Sequence, residues 1–147
     1  MLHEQRLNRC GDWQQALYLF CEANAGRRFE WGSWDCCLFV ADAIDAMAGV
    51  DIAAEFRGRY GTYREALKLT QRLCGNWPLE VVVEKVAAEH GMREVPVALA
   101  QRGDMLLVDN GRRPVLGIVA LNGTEIFVIG ERLRRVPIAL ARRAWRV

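Results

Sequence analysis

The stretch from residue 31 to residue 44 organises this chain, and it reads Trp31-Gly32-Ser33-Trp34-Asp35-Cys36-Cys37-Leu38-Phe39-Val40-Ala41-Asp42-Ala43-Ile44. A loop with Gly32 runs into a helix for which Ser33 or Asp35 can serve as the N-cap. Apolar residues then recur at helical spacing and predict one buried face, formed by Cys37, Val40, Ala41 and Ile44. Cys36 falls in the first turn, where the partial positive charge of the helix N-terminus favours the reactive thiolate. The stretch therefore predicts a buried helix, ending near Met47, with a thiol at its start.

Start and stop signals predict helices on either side of this stretch. The predicted helices span residues 12–24, 62–73 and 77–90, with one short helical turn over residues 51–59. Thr62 and Glu65 have the spacing of a capping box, and Gly91 suits the stop after the last helix. The polar residues 1–11 predict a loosely held arm.

The apolar pattern changes after Pro96 to short runs rich in Val and Ile. These runs predict strands over residues 105–108, 115–121, 125–129, 133–138 and 145–147. Asn110-Gly111 and Asn122-Gly123 between them are typical of type I′ hairpin turns, in which both central residues have positive φ. Helices first and strands later predict one α+β domain over residues 1–147, with the N-terminal helices packed on a small C-terminal antiparallel sheet.

Composition narrows the class of protein further. The 52% apolar content of these 147 residues is typical of a globular domain with a sizeable core. No apolar run approaches the roughly 20 residues of a membrane helix, and residues 1–12 are too polar for a signal peptide. Residues 101–147 hold nine arginines against four acidic residues. This excess of positive charge is typical of solvated strand faces, and also of surfaces that bind an acidic protein or nucleic acid. No nucleic-acid-binding motif accompanies them, and we expect no nucleic-acid partner.

The five cysteines predict free thiols. Their odd number and the lack of a Cys-x-x-Cys pair argue against a disulfide framework or a zinc site, and for folding in a reducing cytoplasm. We expect Cys21 and Cys37 to be core residues. Cys36 and Cys37 lie about 100° apart around a helix, so we expect them to have separate roles. The sequence indicates neither a metal nor a cofactor.

The pattern aromatic-Gly-x-x-Asp-Cys over Trp31 to Cys36 resembles the nucleophile segment of the NlpC-type cell-wall peptidases, which are papain-like. Gly103-Asp104 resembles the start of that family's first core strand, and residues 115–119 resemble the next strand. Residues 31–60 and 103–147 together are more similar still to a small uncharacterised family of NlpC-like phage and prophage tail proteins. The resemblance implies a papain-like fold with Cys36 as the nucleophile.

One position departs from the peptidase pattern. The resemblance places the catalytic histidine at Val115, and the third polar catalytic residue near Phe127 or Val128, which are apolar. A cysteine nucleophile needs a base that keeps it ionised and protonates the leaving amine. The chain has only His3 and His90, and His90 reaches Cys36 only if its loop folds back. We therefore expect a degenerate cysteine peptidase that keeps the scaffold without the chemistry.

The resemblance then implies a structural or assembly protein of a phage tail, near the tail tip, present in the virion and assembled in the bacterial cytoplasm. Its expected partners are other tail proteins, such as a hub or distal tail component. We expect docking through Trp31 and Trp34 and through Arg132, Arg134 and Arg135, some of whose guanidinium groups should point to solvent together. The alternative is an active peptidase or amidase that cleaves peptidoglycan peptides during phage entry. A third possibility is an assembly chaperone absent from the particle.

Overall fold

Four helices precede the sheet in the computed structural model, which describes residues 7–75 and 78–147. They are α1 (Trp13–Asn24), α2 (Cys36–Ala48), α3 (Tyr63–Cys74) and α4 (Leu79–Glu89). All four confirm predicted helices, although Trp77, the predicted start of the last one, lies outside the described residues. Residues 51–59 form hydrogen-bonded turns, and the Arg57 N–H donates to the Ala53 carbonyl at 3.0 Å, which is a single helical turn as predicted. The Asp51 carboxylate holds these turns by accepting hydrogen bonds from the Ala53 N–H and the Arg57 guanidinium.

The helix boundaries follow from local chemistry. Asp35 caps α2, because its Oδ1 accepts a hydrogen bond of 3.0 Å from the Leu38 N–H, and Gly49 ends that helix at φ 71°. The Thr62 hydroxyl oxygen accepts a bond of 3.1 Å from the Glu65 N–H at the start of α3. The Thr62 hydroxyl also donates to Glu65 Oε1 at 3.2 Å, so both members of the predicted capping box hydrogen-bond.

Six antiparallel strands form one sheet in the order β1-β6-β2-β3-β4-β5. In chain order they are β1 (Glu94–Val95), β2 (Met105–Asp109), β3 (Pro114–Val119), β4 (Glu125–Ile129), β5 (Leu133–Pro137) and β6 (Ala141–Trp145). The first four predicted strands are confirmed, with shifts of at most two residues at their ends. β1 was not predicted, and the prediction of residues 145–147 for the last strand was wrong. Pairing with β2 sets that strand instead, since Met105 lies opposite Trp145 and Leu106 opposite Ala144.

The hairpin turns occur where predicted, but the type I′ prediction was wrong. Gly111 and Gly123 have positive φ, whereas no residue other than glycine does so in the described part of the chain. In the second turn, the Asn122 side chain supplies the hydrogen bonds that hold the chain reversal. Its Oδ1 accepts hydrogen bonds from the N–H groups of Thr124 and Glu125.

The sheet buries both faces, which gives the domain two apolar clusters. The larger cluster lies between the sheet and the helices and includes seven buried side chains of α2. The smaller one lies on the opposite face, where the short 3-10 turns Val97–Leu99 and Ile138–Leu140 border it. These arrangements confirm the α+β class and the helices packed on an antiparallel sheet. None of the described helices is long and apolar enough to cross a membrane.

Residues 7–11 are anchored, so the prediction of a loose arm was wrong for this part of it; residues 1–6 lie outside the described residues. Arg9 donates hydrogen bonds to the carbonyls of Val147 and Arg102 and to the Asp104 carboxylate, at 2.9, 2.7 and 2.8 Å. Asp104 is fully buried and also accepts bonds from the N–H groups of Gln101 and Val147. This carboxylate therefore joins the start of the described chain to its end.

Candidate functional site

Asp35 is the buried anchor of the loop that leads into α2. Besides capping the helix through Oδ1, it accepts hydrogen bonds on Oδ2 from the Gly32 N–H at 3.1 Å and from the Tyr60 hydroxyl at 2.5 Å. Gly32 has φ 84°, and a Cβ at this position would lie 1.9 Å from the Tyr60 carbonyl oxygen. The residues of the motif are therefore needed to seat this loop against Tyr60.

Tyr60 was missed by the sequence analysis because it lies 25 residues from Asp35 and no spacing connects the two. Burial, followed by the negative charge of Asp35, raises the pKa of the Tyr60 hydroxyl. The hydroxyl therefore keeps its proton and acts as a donor to the carboxylate.

Cys36 and Cys37 form a contacting pair at the start of α2, with their sulfur atoms 3.9 Å apart. The two sulfurs therefore meet although the residues lie about 100° apart around the helix, and their separate roles stay a prediction. A hydrogen bond from the Cys37 thiol lowers the pKa of Cys36, and the backbone N–H of Leu116 acts in the same direction, while burial opposes them. The same bond and burial raise the pKa of Cys37. Of the two thiols, Cys36 is the one that ionises first.

The strand next to this pair presents no base to it. β3 directs Leu116 and Ile118 into the cluster shared with α2, whereas Val115 packs with the cluster on the opposite face of the sheet. The position that the resemblance assigns to histidine therefore points away from the helix, and the residue at the thiol pair is Leu116. Phe127 and Val128 are both buried, as apolar residues at those positions suggest.

His90 lies elsewhere, at the end of α4. One ring nitrogen, Nδ1, is 3.0 Å from the Val86 carbonyl oxygen, and the ring borders a shallow cavity with Asp51 and Glu89 that does not include Cys36. His3 lies outside the described residues. Over residues 7–75 and 78–147, no three His, Cys, Asp or Glu side chains converge as metal ligands would.

An apolar cavity of about 150 Å³ adjoins the thiol pair, and Cys37 contributes to its wall. Side chains of α2, α3 and α4 surround it together with residues 52–60, and Met105 and Leu116 close it on the sheet side. The cavity and the pair together form the candidate site.

The aromatic residues predicted to contact a partner differ in exposure. Trp31 is half-buried and packs against Phe29 and Tyr63, with ring centroids 4.8 and 5.7 Å apart. Trp34 has no exposed surface, so the prediction that it is an exposed docking residue was wrong. Its ring packs between Phe20 and Phe39 because it sits in the loop that Asp35 pulls onto the core.

The three predicted arginines are all exposed. Arg134 donates to Asn110 Oδ1 at 3.1 Å, while Arg135 stacks over the Phe127 ring and lies 3.9 Å from Glu125. Arg134 and Arg135 are neighbours on β5 and pair with Val128 and Phe127, so their side chains leave opposite faces of the strand. Both reach solvent, from opposite faces of β5.

The chain matches one family of known sequences. A family model described as Domain of unknown function (DUF6950) matches residues 8–147, nearly the whole chain. No curated protein matches the sequence.

Proposed function

The chain belongs to the family described as Domain of unknown function (DUF6950), and from the resemblance of residues 31–60 and 103–147 to NlpC-like phage tail proteins we propose that it is a structural or assembly protein of a phage tail, near the tail tip. In this proposal the domain is a degenerate NlpC-type, papain-like scaffold that has lost its chemistry. Its partners are other tail proteins, it is carried in the virion, and it is assembled in the cytoplasm of the bacterial host.

The observation that carries the proposal is the surroundings of Cys36. The helix start, the cap and the packing of α2 on the sheet match what the resemblance implies for a nucleophile segment. The group of β3 that lies next to the Cys36 sulfur is nevertheless the Leu116 backbone. His90 is held at the end of α4. An acyl transfer needs a proton acceptor that later protonates the leaving amine, and a backbone N–H cannot do this.

Mass spectrometry of purified phage particles tests the tail assignment. We expect peptides of this chain in intact virions and in isolated tails. A chain that is present in infected cells but missing from particles would be an assembly chaperone, and the structural role would be wrong.

An active cysteine peptidase or amidase remains the second candidate, and the lowered pKa of Cys36 favours it. Under this alternative the substrate is a peptide of peptidoglycan. Incubation of the purified protein with muropeptides tests it, with Cys36→Ser as the matched control. Cleavage that disappears in Cys36→Ser would replace the structural proposal with the enzymatic one, whereas we expect no cleavage by either protein.

A further inference from the structure

We propose that the cavity beside Cys37 is a binding site for a small, uncharged, apolar ligand of about the size of benzene. The cavity volume is about 150 Å³, and the cavity is partly open to solvent. An engineered core cavity of about 150 Å³ in another protein, lined by aliphatic and aromatic side chains, stays free of water and binds benzene or xenon. The ligand follows from the size and the lining of this cavity, and the inference is independent of the tail assignment.

The lining is almost entirely hydrocarbon and carries no charged group. It consists of Cys37, Leu38, Ala41, Ile52, Ala53, Phe56, Tyr60, Ala66, Leu67, Thr70, Leu79, Val82, Val83, Val86, Met105 and Leu116. A charged ligand would lose its hydration there without a compensating ion pair. This excludes anions and cations as occupants, and sugars are excluded because their hydroxyl groups would be buried without hydrogen-bond partners.

The three polar side chains of the lining already use their hydrogens within the protein. The Tyr60 hydroxyl donates to Asp35, and the Thr70 hydroxyl donates to the Leu67 carbonyl at 2.9 Å. The Cys37 thiol contacts Cys36. A buried water needs two to four polar partners, so water gains little here and an apolar molecule displaces it at small cost.

The α3 side of the cavity is its weakest wall. Only Leu69 is buried among the twelve residues of α3, while Ala66, Leu67 and Thr70, which line the cavity, are half-buried. Elements with few buried apolar contacts open at the lowest free energy. We therefore place the entry of the ligand between α3 and the rest of the domain.

Titration of the 147-residue protein with benzene, followed by thermal unfolding, tests the proposal. Free benzene at ten times its dissociation constant should raise Tm by about 3–6 °C, with saturation. Ala66→Leu adds three carbons on the cavity side of α3 and should abolish the shift. Ala88→Leu makes the same change on the exposed face of α4 and should leave the shift intact.

A second measurement does not depend on the folding of a variant. Benzene in the cavity covers Cys37, so it should slow alkylation of Cys37 several-fold in the unaltered protein while exposed Cys10 reacts at the same rate. A missing or non-saturable Tm shift in the unaltered protein would overturn the proposal. An undiminished shift in folded Ala66→Leu, or equal alkylation of Cys37 with and without benzene, would overturn it too.

Discussion

The Tyr60 hydroxyl is the long-range contact on which the Asp35 loop depends. Tyr60→Phe removes a donor to a buried carboxylate and leaves only the N–H groups of Gly32 and Leu38. A hydrogen bond to a charged group contributes about 1.5–3 kcal/mol, and we expect the free energy of unfolding in urea to fall by that amount. Tyr18→Phe, at a residue 55% exposed, should change it by less than about 0.5 kcal/mol. Equal effects of the two variants would contradict the role of Tyr60.

This contribution should also depend on pH. Because the folded pKa of Tyr60 is raised, its contribution is complete below the unfolded tyrosine pKa of about 10 and is lost as the pH rises above it. The difference in stability between the unaltered protein and Tyr60→Phe should therefore be constant up to about pH 9 and narrow above pH 10. A difference in stability that widens above pH 10 would contradict a raised pKa of Tyr60 in the folded protein.

The Cys36 thiol should owe its lowered pKa chiefly to Cys37. Cys37→Ala removes the donor, so the pH midpoint of Cys36 alkylation by iodoacetamide should rise, while Cys37→Ser supplies a hydroxyl donor and should keep it low. Peptide mass spectrometry reports the rate at Cys36, with exposed Cys10 as an internal reference. An unchanged midpoint in Cys37→Ala would leave the Leu116 N–H and the helix start as the cause.

At the scale of the element, Arg143 of β6 attaches α4 to the sheet. Its guanidinium donates to Glu80 at 2.9 Å and to Glu84, both on α4, and to the two carboxylate oxygens of Glu94 on β1 at 2.7 and 2.6 Å. Arg143→Met should destabilise the domain by about 1 kcal/mol at pH 7, because three carboxylates then face one another. Arg142→Met, at the exposed neighbouring position, is the control and should have almost no effect.

The Arg143 effect should disappear in acid. The hydrogen bonds from Arg143 lower the pKa of Glu94, so the stabilisation is present above the unfolded pKa of about 4.3 and is lost as the pH falls below it. In urea unfolding from pH 7 to about pH 3, the free energies of unfolding of the unaltered protein and Arg143→Met should converge. A difference in the free energy of unfolding that stays constant with pH would mean that the contact of the Arg143 side chain with the Trp145 ring, and not its ion pairs with the carboxylates, holds the elements together.

At the scale of the whole molecule, the exposed arginines of β5 are the proposed contact with an acidic patch on a larger tail protein. Arg134→Glu with Arg135→Glu should reduce incorporation into tails several-fold, as measured by immunoblot of purified particles, without unfolding the domain. Arg64→Glu with Arg72→Glu on exposed positions of α3 is the matched double reversal. If both doubles incorporate normally, Arg134 and Arg135 have no part in docking, and Trp31 remains the candidate contact.

The features that could be predicted depend on residues close together in the chain. In the caps at Thr62 and at Asp35, the side chain bonds an N–H group three residues further along the chain. Gly49 ends α2 because glycine readily adopts positive φ. The type I′ prediction was wrong because Asn122 does not adopt positive φ. Its side chain accepts a hydrogen bond from the Thr124 N–H and holds the turn in that way. Trp34 was misplaced because aromatic residues serve equally well in a core and at an interface, and spacing does not separate the two.

The sequence by itself determined the helices of this protein, the caps of α2 and α3 and the order of helices before strands, because each depends on contacts within a few residues. Tertiary structure alone decided which thiol ionises, that Leu116 rather than Val115 faces α2, and that Tyr60 and Arg9 hold Asp35 and Asp104. It also decided β1 and the position of β6, since these strands exist only through pairing with distant chain. The physical reason is that strand register and buried hydrogen bonds join residues far apart in the chain, and only the packed domain brings them together.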